Sequence, residues 1–514
     1  MRLPVPMALL LMLLATALAA QVAPDSAVVA EVGPEIITVR DLLESYEFGP
    51  AFVKRQSEPL RTHLEFMIYE RLLALEGEKS GADTTEFVLE RARALEEDLA
   101  VAELYRRRVL ANVSVTESDL DTAVMKARIH VRLRWLYRED RPGAESIVRE
   151  LASGVSFDSL YRKEEGSQKE TGQQSLETTV LALERDNPEF ASRIRSMRSQ
   201  EVSGPITGPD GFYIVRLDEL WQNPLVTESE MRDLRLRARE ILVQTRAEAL
   251  ARDYVRTKMG AANPVIEADG FNILRAYIAE RGLSRDRQLE WKIPSTFMTE
   301  AGPMPISSSG EFLDRVLVRT GYEEMRVRDY VRWYDIRQFQ FDRRSLGAFA
   351  SSVKRSIWKM VQDRLLVNEA YELGLHRLPD VAHEAAKWRA KLLYLAARAE
   401  IGRSVSVDDS TVWALYERKK RNSSSPQGEI LPYEEVRQSI RHGLMLDEEN
   451  RLLNESLRRL RNEFRVLVHE EILAPLSSAV PRESRAVDVV WYRPGGTFPR
   501  VAFPTIDERW QSFR

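Results

Sequence analysis

The sequence of 514 residues contains no cysteine. Disulfide bonds and lipid attachment at an N-terminal cysteine are therefore excluded, so the fold must be stabilised by burying apolar surface. Its six histidines show none of the spacings typical of a metal site. A phosphate-binding glycine loop and a Gly-x-Ser-x-Gly nucleophile turn are also missing from the sequence. We expect no cofactor and no metal, and these motifs identify no catalytic residue.

Long apolar runs and an excess of charge of one sign are lacking too. Beyond residue 20, charged residues interrupt every apolar stretch before it approaches the roughly 18 residues of a transmembrane helix. The mature protein is therefore expected to be soluble, with no transmembrane anchor. There are 75 Lys and Arg residues against 79 Asp and Glu, a net charge of -4. This balance gives no reason to expect nucleic acid or an anionic membrane as a partner.

The first 20 residues have the pattern of a secretion signal. Arg2 is followed by an apolar stretch from Met7 to Leu14, and small residues precede Gln21. The apolar stretch is too short to span a bilayer. We expect a cleaved signal peptide at 1–20 and a mature protein in the periplasm.

An internal repeat organises the rest of the chain. In the first pair of matching segments, offset by 288 positions, five of ten residues are identical. Two later pairs keep offsets of 293 and 292. The three pairs are Gly33–Leu42 with Gly321–Tyr330, Glu70–Leu73 with Asp363–Leu366, and Val113–Thr116 with Val405–Asp408. The two copies are therefore expected to share one fold.

Each copy reads as a β-hairpin, a short helix, a long amphipathic helix that ends at glycine, a charged helix and a further helix. Thr38 with Asp41, and Thr116 with Asp119, have the spacing of helix-capping pairs. The long helix carries apolar residues at intervals of three and four positions, namely Leu64, Met67, Ile68, Leu72 and Leu75. A helix with one apolar stripe must pack on partners, so each copy is predicted to form a helical bundle.

A different pattern lies between the copies. Ile129–Arg138 alternates apolar and polar residues, the period of a half-buried strand. This strand is followed by a predicted helix from about 144 to 153. Three further segments come after it, namely Asn187–Phe190, Val202–Ile206 and Gly211–Leu217. This order resembles a parvulin-type (PpiC-type) peptidyl-prolyl isomerase domain at 128–222.

The whole chain resembles the SurA and PrsA group of extracytoplasmic folding factors, well over residues 27–260 and moderately over 311–473. The motifs that carry the resemblance are the Val-Val-Ala-x-Val hairpin from Val28, the Leu-rich helix ending near Gly81, the Val-Ser-Val-Thr segment at 113–116, and Phe464–Val468. The resemblance implies a mainly α protein, with helical chaperone modules flanking one small α+β domain. It also implies that the partners are unfolded or nascent extracytoplasmic polypeptides.

In this family the prolyl pocket is formed by two histidines, an acidic or thiol residue, and an apolar floor with Met and Phe. Alignment implies that Trp135 and Tyr213 stand at the two histidine positions. Asp186 falls at the usual methionine, and the floor phenylalanine is kept as Phe190. The resemblance therefore implies a degenerate prolyl pocket, with these four residues as candidates for peptide binding.

Two interpretations of Trp135 and Tyr213 remain open. In the first, the domain is noncatalytic and the two aromatic rings belong to its hydrophobic core, where they fill the former prolyl pocket. In the second, the rings form a platform for aromatic-rich segments of a bound polypeptide. His130 is not predicted to replace a missing histidine. It lies five residues before Trp135 and so faces the other side of the strand, with Arg132 and Arg134.

The predicted organisation combines the repeat with the central domain. The first helical module is expected at 21–127 and is completed by a helix at 223–260. A linker-rich segment is expected at 261–310, a second helical module at 311–473, and an aromatic-rich arm at 474–514. The arm is predicted either to pack on the body or to bind clients as a flexible tail.

Three functions fit this organisation. The first is a chaperone with little or no isomerase activity that binds unfolded secreted or outer-membrane proteins. The second is an active peptidyl-prolyl isomerase with a divergent pocket. The third is a structural scaffold or assembly subunit with a fixed partner. Activity assays on the protein distinguish the first two, and pull-downs distinguish the third.

Overall fold

The computed structural model describes residues 24–167, 174–186, 188–208, 211–222, 227–284, 298–299, 302–303, 310–343, 345–422, 431–479, 497–499, 501 and 503–513. The predicted signal peptide at 1–20 lies outside the described residues, as do parts of the predicted linker-rich segment and arm. The described residues are mainly helical with small antiparallel sheets, so the predicted fold class is confirmed. None of the described helices combines the length and the hydrophobicity that a membrane-spanning helix requires.

The chain divides into two compact units. Unit 1 contains residues up to 104 and from 262 onwards, and unit 2 contains residues 105–261. This division differs from the predicted modules, because 105–127 and 223–260 group with the central domain instead of with the first bundle. The reason is packing: Leu120 and Ala123 share an apolar cluster with Leu181 and Ala238 inside unit 2.

Unit 1 contains most of the described helices, two three-stranded sheets that are each built on a β-hairpin, and one two-stranded sheet. Its first part comprises β1 (Val28–Val32), β2 (Glu35–Thr38), α1 (Val39–Glu47), α2 (Ala51–Lys54), α3 (Pro59–Lys79) and α4 (Glu86–Arg108), the last of which runs on into unit 2. Unit 2 comprises α5 (Glu117–Arg128), β3 (Ile129–Arg138), α6 (Arg141–Ala152), α7 (Phe157–Ser167), β4 (Ser175–Thr179), α8 (Val180–Asp186), α9 (Pro188–Arg195), β5 (Ile206–Thr207), β6 (Phe212–Gln222) and α10 (Glu228–Ala262).

The remaining elements return to unit 1. They are β7 (Val265–Ile266), α11 (Ala268–Gly282), β8 (Met298–Thr299), β9 (Gly302–Pro303), α12 (Gly310–Leu313), β10 (Val316–Arg319), β11 (Glu324–Arg326), α13 (Val327–Arg337), α14 (Leu346–Glu372), α15 (Pro379–Ser404), α16 (Asp409–Asn422), α17 (Tyr433–Glu463), β12 (Val466–Val468) and α18 (Glu470–Ala479). Short 3-10 helices at Ala82–Thr84, Leu110–Asn112, Leu375–Arg377 and Glu508–Ser512 complete the list.

In each three-stranded sheet of unit 1, the hairpin pairs with a third strand from another part of the chain. β1 pairs with β2 and also with β12, where Ala30 faces Val468 and Val32 faces Val466. β10 pairs with β11 and also with β7, where Val318 faces Ile266. The first hairpin is thus closed by the strand after α17, and the second by the strand after α10.

A short helix with a capped N-terminus follows the hairpin of each three-stranded sheet. The Thr38 hydroxyl accepts from the Asp41 N–H at 3.2 Å, and the Asp41 carboxylate accepts from the Thr38 N–H at 3.1 Å. In α13, the Asp329 carboxylate accepts from the Arg326 N–H at 2.7 Å. The predicted capping pairs Thr38–Asp41 and Thr116–Asp119 are both present, because an acceptor here satisfies backbone N–H groups that the helix itself leaves unpaired.

The core of the first bundle lies along α3. Its predicted apolar stripe is largely buried, with Leu64 at 2% exposure and Leu72 at 0%. These residues share one cluster with β1, α15, α17 and α18. At Gly77 a side-chain Cβ would lie 2.7 Å from the carbonyl oxygen of Leu393. The absence of a side chain therefore lets α3 and α15 pack closely.

The sheet of unit 2 has the strand order β4-β3-β6-β5 and is covered on both faces. On one face Val131 and Leu133 of β3 pack with residues of α8 and α9. On the other, Leu136 packs with Ala144 and Phe157 of α6 and α7. The strand predicted at Ile129–Arg138 is present with those bounds.

The segment predicted as linker-rich, 261–310, contains α11. Leu274, Tyr277 and Ile278 of this helix are each at most 2% exposed. Glycine and proline predict a linker, but the apolar residues of α11 form a helix that is buried in unit 1 even though it contains Gly270.

Candidate peptide-binding site

The predicted pocket residues lie on one face of the unit 2 sheet. β3 and β6 are antiparallel neighbours, with Trp135 opposite Val215 and Tyr137 opposite Tyr213. Side chains alternate between the two faces of a strand, so Trp135 and Tyr213 share the face that packs on α8 and α9. The alternating sequence of β3 fixes this orientation.

Three of the four candidates meet in one apolar cluster. Trp135, Phe190 and Tyr213 are partly buried and pack around a fully buried core on this face of the sheet. Phe190 reaches the cluster from α9. These rings are far apart in the sequence. The antiparallel pairing of β6 with β3 brings Tyr213 close to Trp135.

Asp186 does not join the cluster. It is the last residue of α8, is exposed, and pairs with the adjacent Arg185 at 2.7 Å. A carboxylate at this helix end stays hydrated, because the apolar cluster offers no partner for its charge. The exposed position of Asp186 therefore differs from that of the floor methionine with which the resemblance to the family aligns it.

A methionine does pack on the cluster, from a different position. Met197 lies just after α9 and contacts the same core, beside Ile206 of β5. Alignment missed it because it lies outside the aligned motif. The sequence could have pointed to Met197, because it is the single methionine in residues 128–222.

The Tyr213 ring is enclosed by its neighbours. It lies 5.3 Å from the ring of Tyr137, centroid to centroid. A Cβ at Gly208 would clash with the Tyr213 ring, and one at Gly211 would lie 2.6 Å from the Tyr137 ring. The two glycines are therefore needed because the chain runs directly over the aromatic pair.

His130 lies away from the aromatic cluster. It faces Trp221 across the β3–β6 pairing, with ring centroids 5.3 Å apart and nearly parallel planes. Neighbouring Arg132 pairs with Glu219 at 2.9 Å on the exposed side. The histidine thus belongs to the polar face, as its spacing from Trp135 predicts.

A buried charge cluster occupies the face opposite Trp135. Arg216 is 8% exposed and pairs with Asp158 at 2.9 Å and with Asp218 at 2.5 Å. Arg134 joins the same Asp218 at 2.5 Å. The Arg216 guanidinium also lies 4.9 Å from the centre of the Phe157 ring. Sequence reasoning missed this cluster, since its residues look like ordinary polar positions on strands and helices.

A groove in unit 1 is occupied by the described end of the C-terminal arm. Phe503 stacks on Phe48 with centroids 5.4 Å apart, and Trp510 stacks on Phe66 at 5.3 Å. Trp510 is 1% exposed. We call this the arm groove, and its other lining residues come from α1, α3 and α15. The arm was predicted either to pack on the body or to bind clients as a flexible tail, and residues 503–513 are packed on the body.

Hydrogen bonds hold the arm as an extended segment. The Lys391 ammonium donates to the carbonyl oxygen of Thr505 at 2.7 Å. The backbone N–H of Asp507 donates to Glu70 at 2.7 Å, and the Tyr394 hydroxyl donates to the Asp507 carboxylate at 3.0 Å. Burial opposes ionisation of Asp507, but Arg509 and Lys391 outweigh it and lower the pKa to about 2. Side chains of the body thus recognise the arm's backbone.

Comparison with known proteins adds one sequence relative. No family model matches the chain. A stretch of 228 residues is 27% identical to the chaperone SurA of Chromohalobacter salexigens. The match covers 42% of this chain and 47% of that protein, so the chain spans about half the length of this curated relative. The chain is SurA/PrsA-like.

Two solved structures of PrsA were also found. The peptidylprolyl isomerase PrsA from Bacillus cereus is 15% identical, with a TM-score of 0.20 over 45% of this chain and 93% of that one. PrsA from Bacillus subtilis is 14% identical, with a TM-score of 0.17 and the same coverage. The resemblance to the SurA and PrsA group, stated from the motifs of the chain, agrees with the sequence match to SurA.

Proposed function

We propose that this chain is an extracytoplasmic folding factor that binds unfolded secreted or outer-membrane polypeptides and has little or no prolyl isomerase activity. The similarity to SurA supports a folding factor. The observation that carries the second part is the aromatic cluster of Trp135 and Tyr213 at the positions where the family's pocket has histidines.

The chemistry of the cluster supports binding without catalysis. Rotation about a prolyl amide faces a barrier of about 18 to 20 kcal/mol, because the twisted amide loses resonance. An enzyme lowers that barrier by binding the twisted amide more tightly than the planar one. Trp135, Phe190 and Tyr213 offer apolar ring surface but no imidazole. Such a surface binds apolar side chains of both isomers alike, and equal binding accelerates nothing.

Export is part of the proposal. The signal-like residues 1–20 support secretion across the inner membrane, and a chain without cysteine needs no disulfide formation in the periplasm. Clients there are unfolded chains, whose exposed apolar segments match partly buried aromatic and methionine surfaces.

We also infer that the chain contains a duplicated module whose copies complete each other. The glycines that follow α3 and α14, Gly81 and Gly374, both have a left-handed backbone, with φ of +81° and +67°. Asp41 and Asp329 hold the same position in α1 and α13. β7 comes at the end of the first copy but pairs with β10 of the second hairpin. β12 comes at the end of the second copy but pairs with β1 of the first hairpin. Two bundles joined in this way form paired grooves for clients.

Two assays on the full mature chain test the proposed function. The first measures suppression of aggregation of a chemically unfolded client, by light scattering. The second measures prolyl exchange in a short Xaa-Pro peptide by NMR, with an intact parvulin as the positive control. We expect the chain to suppress aggregation at near-stoichiometric amounts. We expect cis/trans exchange of the peptide to stay uncatalysed, with a time of tens to hundreds of seconds at 25 °C.

The variant Trp135→His with Tyr213→His sharpens the second assay. We expect it to stay inactive as an isomerase, because Asp186 is exposed and does not line the cluster. Exchange by the native chain at a parvulin-like rate would favour the isomerase alternative. Absence of suppression together with stoichiometric capture of one partner in pull-downs would favour the scaffold alternative.

A further inference from the structure

The arm groove has a counterpart in the second half of unit 1. Apart from arm residues, nine residues line the arm groove, and eight of them have equivalents, at offsets of 288 or 293, among the residues lining a second cavity. Examples are Asp41 with Asp329, Met67 with Met360, and Lys387 with Ala94. We call this second cavity, between α4 on one side and β11, α13 and α14 on the other, the open groove.

The two grooves differ in what fills them. The arm groove leaves a free volume of about 40 Å³, because residues Phe503 to Ile506 occupy it. The open groove has a volume of about 330 Å³ and no arm residue among its lining. That volume lies within the range of sites that bind ligands, roughly 300 to 1,000 Å³.

The floor of the open groove combines adaptable methionine side chains with the largely buried charges of Asp363 and Arg337, which face each other at 3.8 Å. Met325 and Met360 are 3% and 4% exposed, and Ala94 is 8% exposed. The partly buried Trp333 donates its indole N–H to Asp363 at 2.9 Å, so the polar atom of this ring is satisfied. Methionine side chains adjust to ligands of varied shape, and this suits a site for many sequences.

The rim of the open groove carries charges of both signs. Arg332 pairs with Glu90 at 3.2 Å, and Arg364 pairs with Glu323 at 3.2 Å. In the arm groove, Lys391 and Glu70 pair with each other at 2.7 Å while also bonding to the arm's backbone, whereas the equivalent positions of the second copy carry Asp98 and Asp363. Paired rim charges can therefore bind a peptide backbone without giving up their ion pair.

The aromatic cage around Trp510 is not duplicated. Phe66 and Tyr69 contact Trp510 in the arm groove, whereas the equivalent positions in the second copy carry Lys359 and Gln362. The open groove thus matches only the part of the arm groove that holds the extended residues 503–506.

We propose that the open groove binds a short extended segment of an unfolded polypeptide, about as long as residues 503–506, with an apolar side chain on the methionine floor. The inference rests on the proposed folding-factor function and on the duplicated module. The arm supplies the template, because its extended residues 503–506 lie against the residues of the arm groove that are equivalent to those of the open groove.

A single reporter tests the site, because the chain has no native thiol. Val367→Cys places a thiol on α14 in the lining of the open groove. An environment-sensitive fluorophore on this thiol is titrated with reduced, carboxymethylated α-lactalbumin as the unfolded probe. We expect a saturable blue shift. The matched control, Arg355→Cys, labels an exposed position of the same helix outside the groove and should give no shift.

A filling variant separates the site from the function. Val367→Trp should occupy the cavity and weaken probe binding by about tenfold, the loss expected when one apolar side chain can no longer be buried. Leu373→Trp is its control, since Leu373 is 48% exposed and does not line the groove. Thermal unfolding of each variant verifies that it is folded.

The outcomes are distinct. Aggregation suppression that persists unchanged in folded Val367→Trp, with no shift of the Val367→Cys label, overturns the site and leaves the folding-factor function standing. No suppression by any form of the chain overturns the function itself. A blue shift that grows with the concentration of the labelled chain alone, without probe, assigns the groove to the arm of a second copy and overturns client binding there.

Discussion

The indole N–H of Trp510 donates a hydrogen bond to the carboxylate of Glu70 at 3.0 Å, although 440 positions separate the two residues. The same carboxylate pairs with Lys391 at 2.7 Å. The last described residues of the chain are therefore built into the bundle around α3, one of its first helices. The arm contributes to the stability of that bundle as well as filling its groove.

Replacing Trp510 should destabilise unit 1. Trp510→Ala removes a ring that is 1% exposed and leaves a cavity beside Phe66, so we expect the free energy of unfolding to fall by about 3 to 5 kcal/mol. Urea denaturation followed by circular dichroism measures the change. Trp358→Ala is the matched control, because Trp358 is 37% exposed and its loss should cost much less. Equal losses for both variants would contradict a packed arm.

Breaking the buried charge cluster should destabilise unit 2. Asp218→Ala leaves the buried Arg216 without one of its two carboxylates, and a cost of about 3 to 5 kcal/mol is typical for removing one member of a buried pair. The neighbouring Glu219→Ala breaks only an exposed pair with Arg132 and should cost about 0 to 1 kcal/mol. Chemical denaturation of the two variants gives the comparison, and a similar small cost for both would show that Arg216 is well solvated.

Acid should weaken unit 1 through His63. Burial lowers the pKa of His63 to about 3, with smaller contributions from Lys54 and Lys391. In the unfolded chain a histidine has a pKa of about 6.5. Between these values the unfolded state binds a proton that the folded state does not, so stability falls as the pH falls, by up to about 1.4 kcal/mol per pH unit.

The variant His63→Gln isolates this effect. Its free energy of unfolding should depend less on pH between about 6.5 and 4 than that of the native chain, because glutamine binds no proton. It should also be less stable at pH 7, since the imidazole bonds to Ser45 at 2.9 Å. His442→Gln, at an exposed position, is the control and should keep the native slope. An unchanged slope in His63→Gln would mean that His63 is protonated in the folded protein.

Asp41 and Asp329 should differ in their effect on stability despite their equivalent positions. Burial opposes the charge of Asp41, but hydrogen bonds from His383 and Thr38 and the charge of Lys387 lower its pKa to about 2. Because this value lies below that of an unfolded aspartate, its stabilisation is complete above about pH 4 and is lost as the pH falls towards 2.

At pH 7, Asp41→Asn should therefore cost several kcal/mol, since it leaves the buried Lys387 with less compensating charge. Asp329 is exposed and mainly caps its helix, so Asp329→Asn should cost about 0.3 to 1 kcal/mol. Equilibrium unfolding at pH 7 and at pH 3 measures both variants. A smaller cost for Asp41→Asn than for Asp329→Asn at pH 7 would contradict the buried pairing.

Local patterns in the sequence predicted local structure well. The alternation in Ile129–Arg138 predicted β3 to the residue, since a strand needs only a period of two. The capping pair Thr38–Asp41 was readable for the same reason, because all its atoms lie within one turn of helix. Asp186 was misleading, since alignment assigns a position in a motif and says nothing of whether the side chain points into the cluster.

Most helices, the strand β3 and the similarity of the motifs to those of SurA and PrsA could be read from the sequence, whereas α11 could not. Which elements pair with one another became clear from the folded chain. Val468 closes the sheet of Ala30, and Glu70 binds Trp510, although each pair spans most of the chain. Periodicity and capping act over a few residues, whereas strand pairing and groove filling depend on which apolar and polar surfaces meet after the chain has folded.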